Sequence, residues 1–307
     1  MSRFSFFNFK SHQAPSLTST PKQTAKDVGF LEVFAGHNPI VDIVAIHGLD
    51  GHREDSWTAD NGTMWLRDLL PIDIPNARIL TYGYDADTRS FGHTSTQTVL
   101  RHAREFAECL WQQRKPHPER PIIFLAHSLG GIILKRALGH CNSRNINSAR
   151  NLRDITTSTI AVLFFGTPHS GANGVGAAEL MHQLLSVYMS TNNKILRHLR
   201  RESGMLEDVQ DHYFPVSQRV ETIFLYEEYE TPIFGGVRKM IVPHESAVIM
   251  GDSRAREAVL HADHCQIVKF AGEDDPNYRK VADFLTEFMG EGPERVRENW
   301  IQENGTR

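Results

Sequence analysis

Three cysteines, Cys109, Cys141 and Cys265, stand far apart and form no C-x-x-C pair, which removes a disulfide framework and a thiolate zinc site from consideration. A reducing, intracellular compartment is the setting this predicts. No window approaches 18 uncharged apolar residues, so no segment reads as a bilayer-spanning helix. Blocks of basic charge are missing too: 33 lysines and arginines against 37 acids give a net charge of −4, spread along the chain. Without a cationic stripe to neutralise phosphates, nucleic acid is not an expected partner. Phosphate-cradling loops are equally scarce. In "GANGVG" the third glycine of a dinucleotide fingerprint is absent, and the strand before it already ends at Gly166. No Walker loop occurs, and the pair His261-x-x-His264 has no third ligand at a metal-site spacing. The expectation is a protein with neither cofactor nor metal.

What is present suffices for one large domain. A chain of 307 residues, 40% of them apolar, buries roughly three quarters of its unfolded surface. The first 27 residues differ from the rest, being rich in Ser, Thr and Phe, with Arg3, Lys10, Lys22 and Lys26 and a single acid at Asp27. They read either as a disordered leader or as an organellar transit segment, in which Pro15 and Pro21 confine any amphipathic helix to the first dozen residues. No apolar signal core stands at the front, so the Asn-Gly-Thr sequons at Asn61 and Asn304 are taken as chance. From Val28 to about residue 290, apolar runs alternate with segments of helical period. Strands are expected at 40–46, 78–82, 122–126, 160–165, 221–226, 239–242 and 266–270, and helices at 63–70, 95–113, 129–140, 177–188 and 278–289. Most of these strands lack polar alternation, the mark of burial on both faces. The predicted class is α/β, a mostly parallel sheet flanked by helices on both faces. Residues 171–217, with "AAELMHQLLSVYM" and the basic "KILRHLRRE", are read as a cap or a surface insertion, and 291–307 as a tail.

Within "IIFLAHSLGGIILKRAL" a polar pair interrupts a buried strand and a buried helix. A serine on such a sharp turn, with small residues two before and two after it, is the G-x-S-x-G nucleophile elbow. Here it reads Ala126-His127-Ser128-Leu129-Gly130. Ser128 is the candidate nucleophile, and the helix start gives the Leu129 amide to a developing oxyanion. A second donor normally comes from the loop after an earlier strand, and "IVAIHGLDG" points to the backbone N–H of Leu49. The base belongs late in the chain, where "HADHCQIVKF" offers His264 and, as its competitor, His261. His127 is expected to point away from the serine hydroxyl and to pack. Cys265 is read as a small buried residue. For the acid, "TIFLYEEYE" offers Glu227, Glu228 and Glu230, and "IVPHESA" adds Glu245. Position at the end of an apolar strand favours Glu227 or Glu228, without separating the two.

The pieces "DIVAIHGLDGHREDSW", "ARILTYGYDA", "IIFLAHSLGGIILKRAL", "FFGTPHSGA", "IVPHESA" and "ADHCQIVKF" occur in order over most of residues 28–285. In them the chain resembles the eukaryotic serine-active-site-containing proteins and the lipase-like domains at the front of fungal NACHT-type receptors. That resemblance implies an α/β-hydrolase fold and a serine esterase or lipase, with Ser128 as nucleophile, His264 as base and a glutamate of "YEEYE" as acid. Ala126 departs from the family's glycine. It further implies a small-molecule acyl ester or lipid substrate, room for a peripheral membrane contact, and a cytoplasmic or mitochondrion- or ER-associated location. The leading expectation is a carboxylic-ester hydrolase working through an acyl-enzyme. Its rivals are an acyltransferase or phospholipid-remodelling enzyme that passes the acyl group to another alcohol, and a non-catalytic signalling or interaction module with a vestigial site. The oligomeric state is not legible.

Overall fold

The computed structural model describes residues 27–86, 96–143, 152–169, 176–188, 204–233, 236–249 and 255–305. Its strands are β1 (Gly29–Phe34), β2 (Val41–Ile46), β3 (Ala77–Gly83), β4 (Ile122–His127), β5 (Thr159–Phe165), β6 (Glu221–Glu227), β7 (Thr231–Pro232), β8 (Arg238–Lys239) and β9 (Ala255–Leu260). Its helices are α1 (Trp65–Asp68), α2 (Leu70–Asp73), α3 (Thr96–Arg114), α4 (Leu129–Asn142), α5 (Arg153–Ser158), α6 (Ala177–Tyr188), α7 (Met205–Ser217), α8 (His244–Ala247) and α9 (Pro276–Gly305). Seven strands form one sheet in the order β1-β3-β2-β4-β5-β6-β9. All neighbours are parallel except β1, which runs antiparallel to β3 at the edge.

The pleat divides the apolar runs between two cores. Val44, Ile46, Phe124, Ala126, Val162, Phe164 and Phe224 face one side, where α3, α4, α6 and α7 pack. Ile43, Ala45, Ile123, Leu125, Leu163, Ile223 and Leu225 face the other, against Trp57, Trp65 and the apolar side of α9. Strands enclosed on both faces need no polar alternation, which is why β2, β4 and β5 are continuously buried. A mostly parallel sheet in this strand order, with one antiparallel edge strand and helices packed on both faces, is the α/β-hydrolase arrangement.

Several elements differ from expectation. Residues 266–270 are a turn, not a strand: Gln266 and Ile267 donate to the Asp263 carbonyl, while Ile267, Val268 and Phe270 fill the core beside Trp65. A short apolar run looks alike in either state. The last strand is instead β9, "AREAVL", whose half-exposed residues gave no apolar run. Likewise β1 is a partly exposed edge. The strand expected at 239–242 reduces to the two-residue pairing of β7 with β8. The helix expected at 63–70 breaks into α1 and α2 because Pro71 cannot donate to the preceding turn. Of 171–217, residues 171–175 and 189–203 lie outside the described residues. The remainder is α6 and α7, and α7 buries Leu206, Val209, Tyr213 and Val216 in the same core as α4. Past residue 290, α9 continues, with Val296 buried and the Trp300 indole N–H donating to Ser158 Oγ at 3.0 Å.

Candidate active site

The turn from β4 into α4 puts Ser128 at φ 52°, ψ −121°, a backbone state that a residue with a Cβ adopts only under strain. Small neighbours make it possible. A Cβ on Gly130 would lie 2.3 Å from the carbonyl oxygen of His47, and one on Gly48 would lie 2.9 Å from both Ser128 Cβ and His127 Nδ1. The loop after β2 therefore runs directly over the elbow, carrying Leu49 with it. Leu129 is the first residue of α4, so its N–H has no partner inside the helix. Among the described residues, neither the Leu49 nor the Leu129 amide meets an acceptor.

Beyond β9 the chain crosses back to the elbow and delivers His264. Its Nε2 lies 2.9 Å from Ser128 Oγ, and its Nδ1 lies 2.6 Å from Glu227 Oε2. All three side chains are buried: Ser128 is 2% exposed, His264 1% and Glu227 3%. The second carboxylate oxygen, Oε1, accepts from the backbone N–H groups of Ile241 at 2.6 Å and Val242 at 2.9 Å. An ionised carboxylate only accepts, so the ring proton belongs on Nδ1. That leaves Nε2 with a lone pair facing the serine hydroxyl, the arrangement a general base requires. The His264 peptide is held as well. Its N–H donates to Thr231 Oγ1 at 2.9 Å, and its carbonyl accepts from His127 Nε2 at 3.0 Å.

Of the two adjacent glutamates, only Glu227 reaches this imidazole. Glu228 lies on the opposite side of the strand end and pairs at the surface with His261 Nδ1, so neither Glu228 nor His261 joins Ser128. Successive side chains at the end of β6 point to opposite faces, which is the physical reason. Glu230 and Glu245 are exposed and join no partner of Ser128. Thr231, Ile241 and Val242 are not evident as site residues in the sequence. The last two act through backbone amides, for which residue type carries no signal.

Beside the site, burial keeps His47 and His127 neutral. Burial pushes His47 down to about 4, and its ring stacks on Tyr84 at 4.5 Å. Burial, with the neighbouring His264 second, holds His127 well below the usual histidine range. Cys265 is pushed the other way, up to about 12, chiefly by burial, so its thiol is no competitor for Ser128.

The family model described as "Putative serine esterase (DUF676)" matches residues 42–212. Protein SERAC1 of Bos taurus is 22% identical over 308 residues, covering 91% of this chain and 45% of that protein. Protein SERAC1 of Danio rerio is 24% identical over 273 residues, covering 81% and 39%. The chain thus spans less than half the length of these relatives. Among solved structures, Bacillus licheniformis lipase BlEst2 in mature form is 18% identical with a TM-score of 0.49, covering 82% of this chain and 97% of that one. MenH from S. aureus is 12% identical with a TM-score of 0.45, covering 86% and 98%. No helix among the described residues is long and apolar enough to cross a membrane.

Proposed function

Because the chain belongs to the DUF676 serine esterase family, we propose that it hydrolyses carboxylic esters of small acyl or lipid substrates through an acyl-enzyme on Ser128. The observation that carries this reading is the buried chain Ser128 Oγ, His264, Glu227, with contacts of 2.9 and 2.6 Å. Ser128 Oγ attacks the acyl carbon while its proton passes to His264 Nε2, and the carbonyl electron pair moves onto oxygen. The amides of Leu49 and Leu129 receive that oxyanion. Collapse expels the alcohol, which takes the proton from Nε2. Water then attacks the acyl-enzyme, gives its proton to His264, and the carboxylic acid leaves as Ser128 recovers its hydrogen. Glu227 keeps the proton of Nδ1 in place and stabilises the imidazolium that forms twice per turnover.

A fluorophosphonate probe tests the first step, since Ser128 Oγ displaces fluoride from phosphorus only when activated. Wild type labels and Ser128→Ala does not, and a panel of acyl chain lengths then identifies the preferred ester. Correctly folded wild-type protein that resists the probe refutes the reading. Supplying an alcohol acceptor in the same assay shows whether the acyl group goes to water alone.

A further inference from the structure

His264 sits in a loop four residues beyond the end of β9, where no sheet ladder fixes its backbone. The Asp263 turn holds one side of it, its Oδ1 accepting the Cys265 N–H at 3.0 Å, and two side chains from distant parts of the chain hold the His264 N–H and carbonyl themselves. Thr231 Oγ1, on β7, accepts the His264 N–H at 2.9 Å. His127 Nε2, beside the nucleophile, donates to the His264 carbonyl at 3.0 Å. Thr231 is 1% exposed and His127 5%, so neither bond competes with water. Together they hold the peptide groups on both sides of the His264 Cα. Only the two side-chain torsions then remain, and those are set by Ser128 and Glu227.

We propose that Thr231 and His127 are positioning residues that clamp the His264 backbone so that its imidazole meets Ser128 without rearrangement. The clamp rests on the reading of His264 as the base. His127 suits this role for two reasons. Its ring centre is 5.1 Å from that of His264, so a charge there would oppose the imidazolium formed during turnover. Burial keeps it neutral. Its Nδ1 edge also abuts Gly48, where a Cβ would lie 2.9 Å away. One ring therefore packs against the loop that carries Leu49 and hydrogen-bonds the loop that carries the base.

Two pairs of variants separate positioning from mere satisfaction of buried polar groups. Thr231→Val removes the acceptor and keeps the shape, whereas Thr231→Ser keeps the acceptor. His127→Phe removes the donor and keeps a ring, whereas His127→Gln restores an N–H. The readouts are the second-order rate of fluorophosphonate labelling, kcat and KM on a soluble aryl ester, and the melting temperature. Misplacing a reacting group by about 1 Å costs on the order of a hundredfold. We therefore expect Thr231→Val and His127→Phe to lose about ten- to a hundredfold in kcat and labelling rate, with KM within about twofold. Thr231→Ser should recover most of that loss and His127→Gln part of it. The clamp is overturned if Thr231→Val melts earlier yet labels at the wild-type rate, or if Thr231→Ser is as slow as Thr231→Val. Should one parent substitution prevent folding, the other pair decides by the same criteria. Wild type that labels while these variants are unaffected removes only the clamp; wild type that does not label removes the assignment of His264 as well.

Discussion

Replacing Glu227 by glutamine changes one atom in kind and almost nothing in shape. The carboxylate Oε1 receives two backbone N–H groups, from Ile241 at 2.6 Å and Val242 at 2.9 Å. Only an oxygen can occupy that position, so the glutamine NH2 must take the place of Oε2, 2.6 Å from His264 Nδ1. There it donates. Nδ1 becomes the acceptor, the ring proton moves to Nε2, and Nε2 then presents hydrogen rather than a lone pair to Ser128 Oγ at 2.9 Å. The reverse amide orientation would set NH2 against both backbone N–H groups. At about 1–3 kcal/mol for each buried group left unsatisfied, it is disfavoured by about 2–6 kcal/mol and holds no more than roughly one molecule in thirty. The analogous Asp→Asn exchange in a Ser-His-Asp protease lowers kcat about ten-thousandfold through the same wrong tautomer. Glu227→Gln should accordingly lose about 10³- to 10⁴-fold in kcat on an aryl ester, with KM within a few-fold and the melting temperature little changed. Glu228→Gln is the control. Its partner His261 is half-exposed, and its activity should stay within about twofold of wild type. A Glu227→Gln enzyme retaining more than about a tenth of kcat, or a Glu228→Gln enzyme that loses it, refutes the assignment of the acid.

Two further predictions concern the surroundings of the base. Gly166 has φ 51°, and a Cβ there would lie 3.0 Å from His264 Nδ1 and 3.2 Å from Cε1. Gly166→Ala should lower kcat by about tenfold or more and cost roughly 1–3 kcal/mol in a urea melt, and an unchanged kcat would contradict the placement of the ring. Acid should also weaken the fold through its buried histidines. His47 is held at about 4 when folded and returns to about 6.5 when unfolded, so unfolding takes up a proton between those values. Stability is therefore complete above pH 6.5 and falls as pH drops through that window, by about 3 kcal/mol from His47 alone at its lower end. His127 and His169 are displaced in the same direction by burial and steepen the fall. Urea midpoints measured from pH 7.5 to 4 check this, and a flat profile above pH 5 would contradict it.

How much of this was legible follows from which residues are covered on which sides. The central strands β2, β4, β5 and most of β6 are enclosed on both faces, and their apolar runs announce them. At the edge, β9 pairs among the described residues only with β6, and its "AREAVL" carries two charges on a half-exposed surface. Nothing in that string separates it from a helix turn. The neighbouring "QIVKF" looked more like a strand because Ile267, Val268 and Phe270 are buried, yet Asp263 ties this stretch into a turn. Missing β9 had a direct effect on the site. Without its register against β6, which pairs Glu227 with Leu260, the side of the strand end that faces His264 is unknown. Glu227 and Glu228 then remain equivalent. Ser128 needed no such knowledge, since strand, turn and helix around it are adjacent in sequence.

The order of the strands also explains why the groups around His264 stand where they do. Strand β9 is three places from β4, with β6 and β5 between them, a distance of about 14 Å at the usual strand spacing. From Leu260 the chain has four residues to His264, at most about 14 Å when extended. It is not extended, because the Ala262 N–H turns back to the Leu260 carbonyl. The imidazole side chain must therefore cover the remaining span, passing over the ends of β6 and β5 in turn. At the end of β6 it meets Glu227, which takes Nδ1, and at the end of β5 it passes Gly166, where a methyl group would press against the ring. Only then does Nε2 arrive at Ser128. Acid, glycine and nucleophile are successive points on a single crossing of the sheet edge, so their spacing is set by the strand order rather than by any one loop.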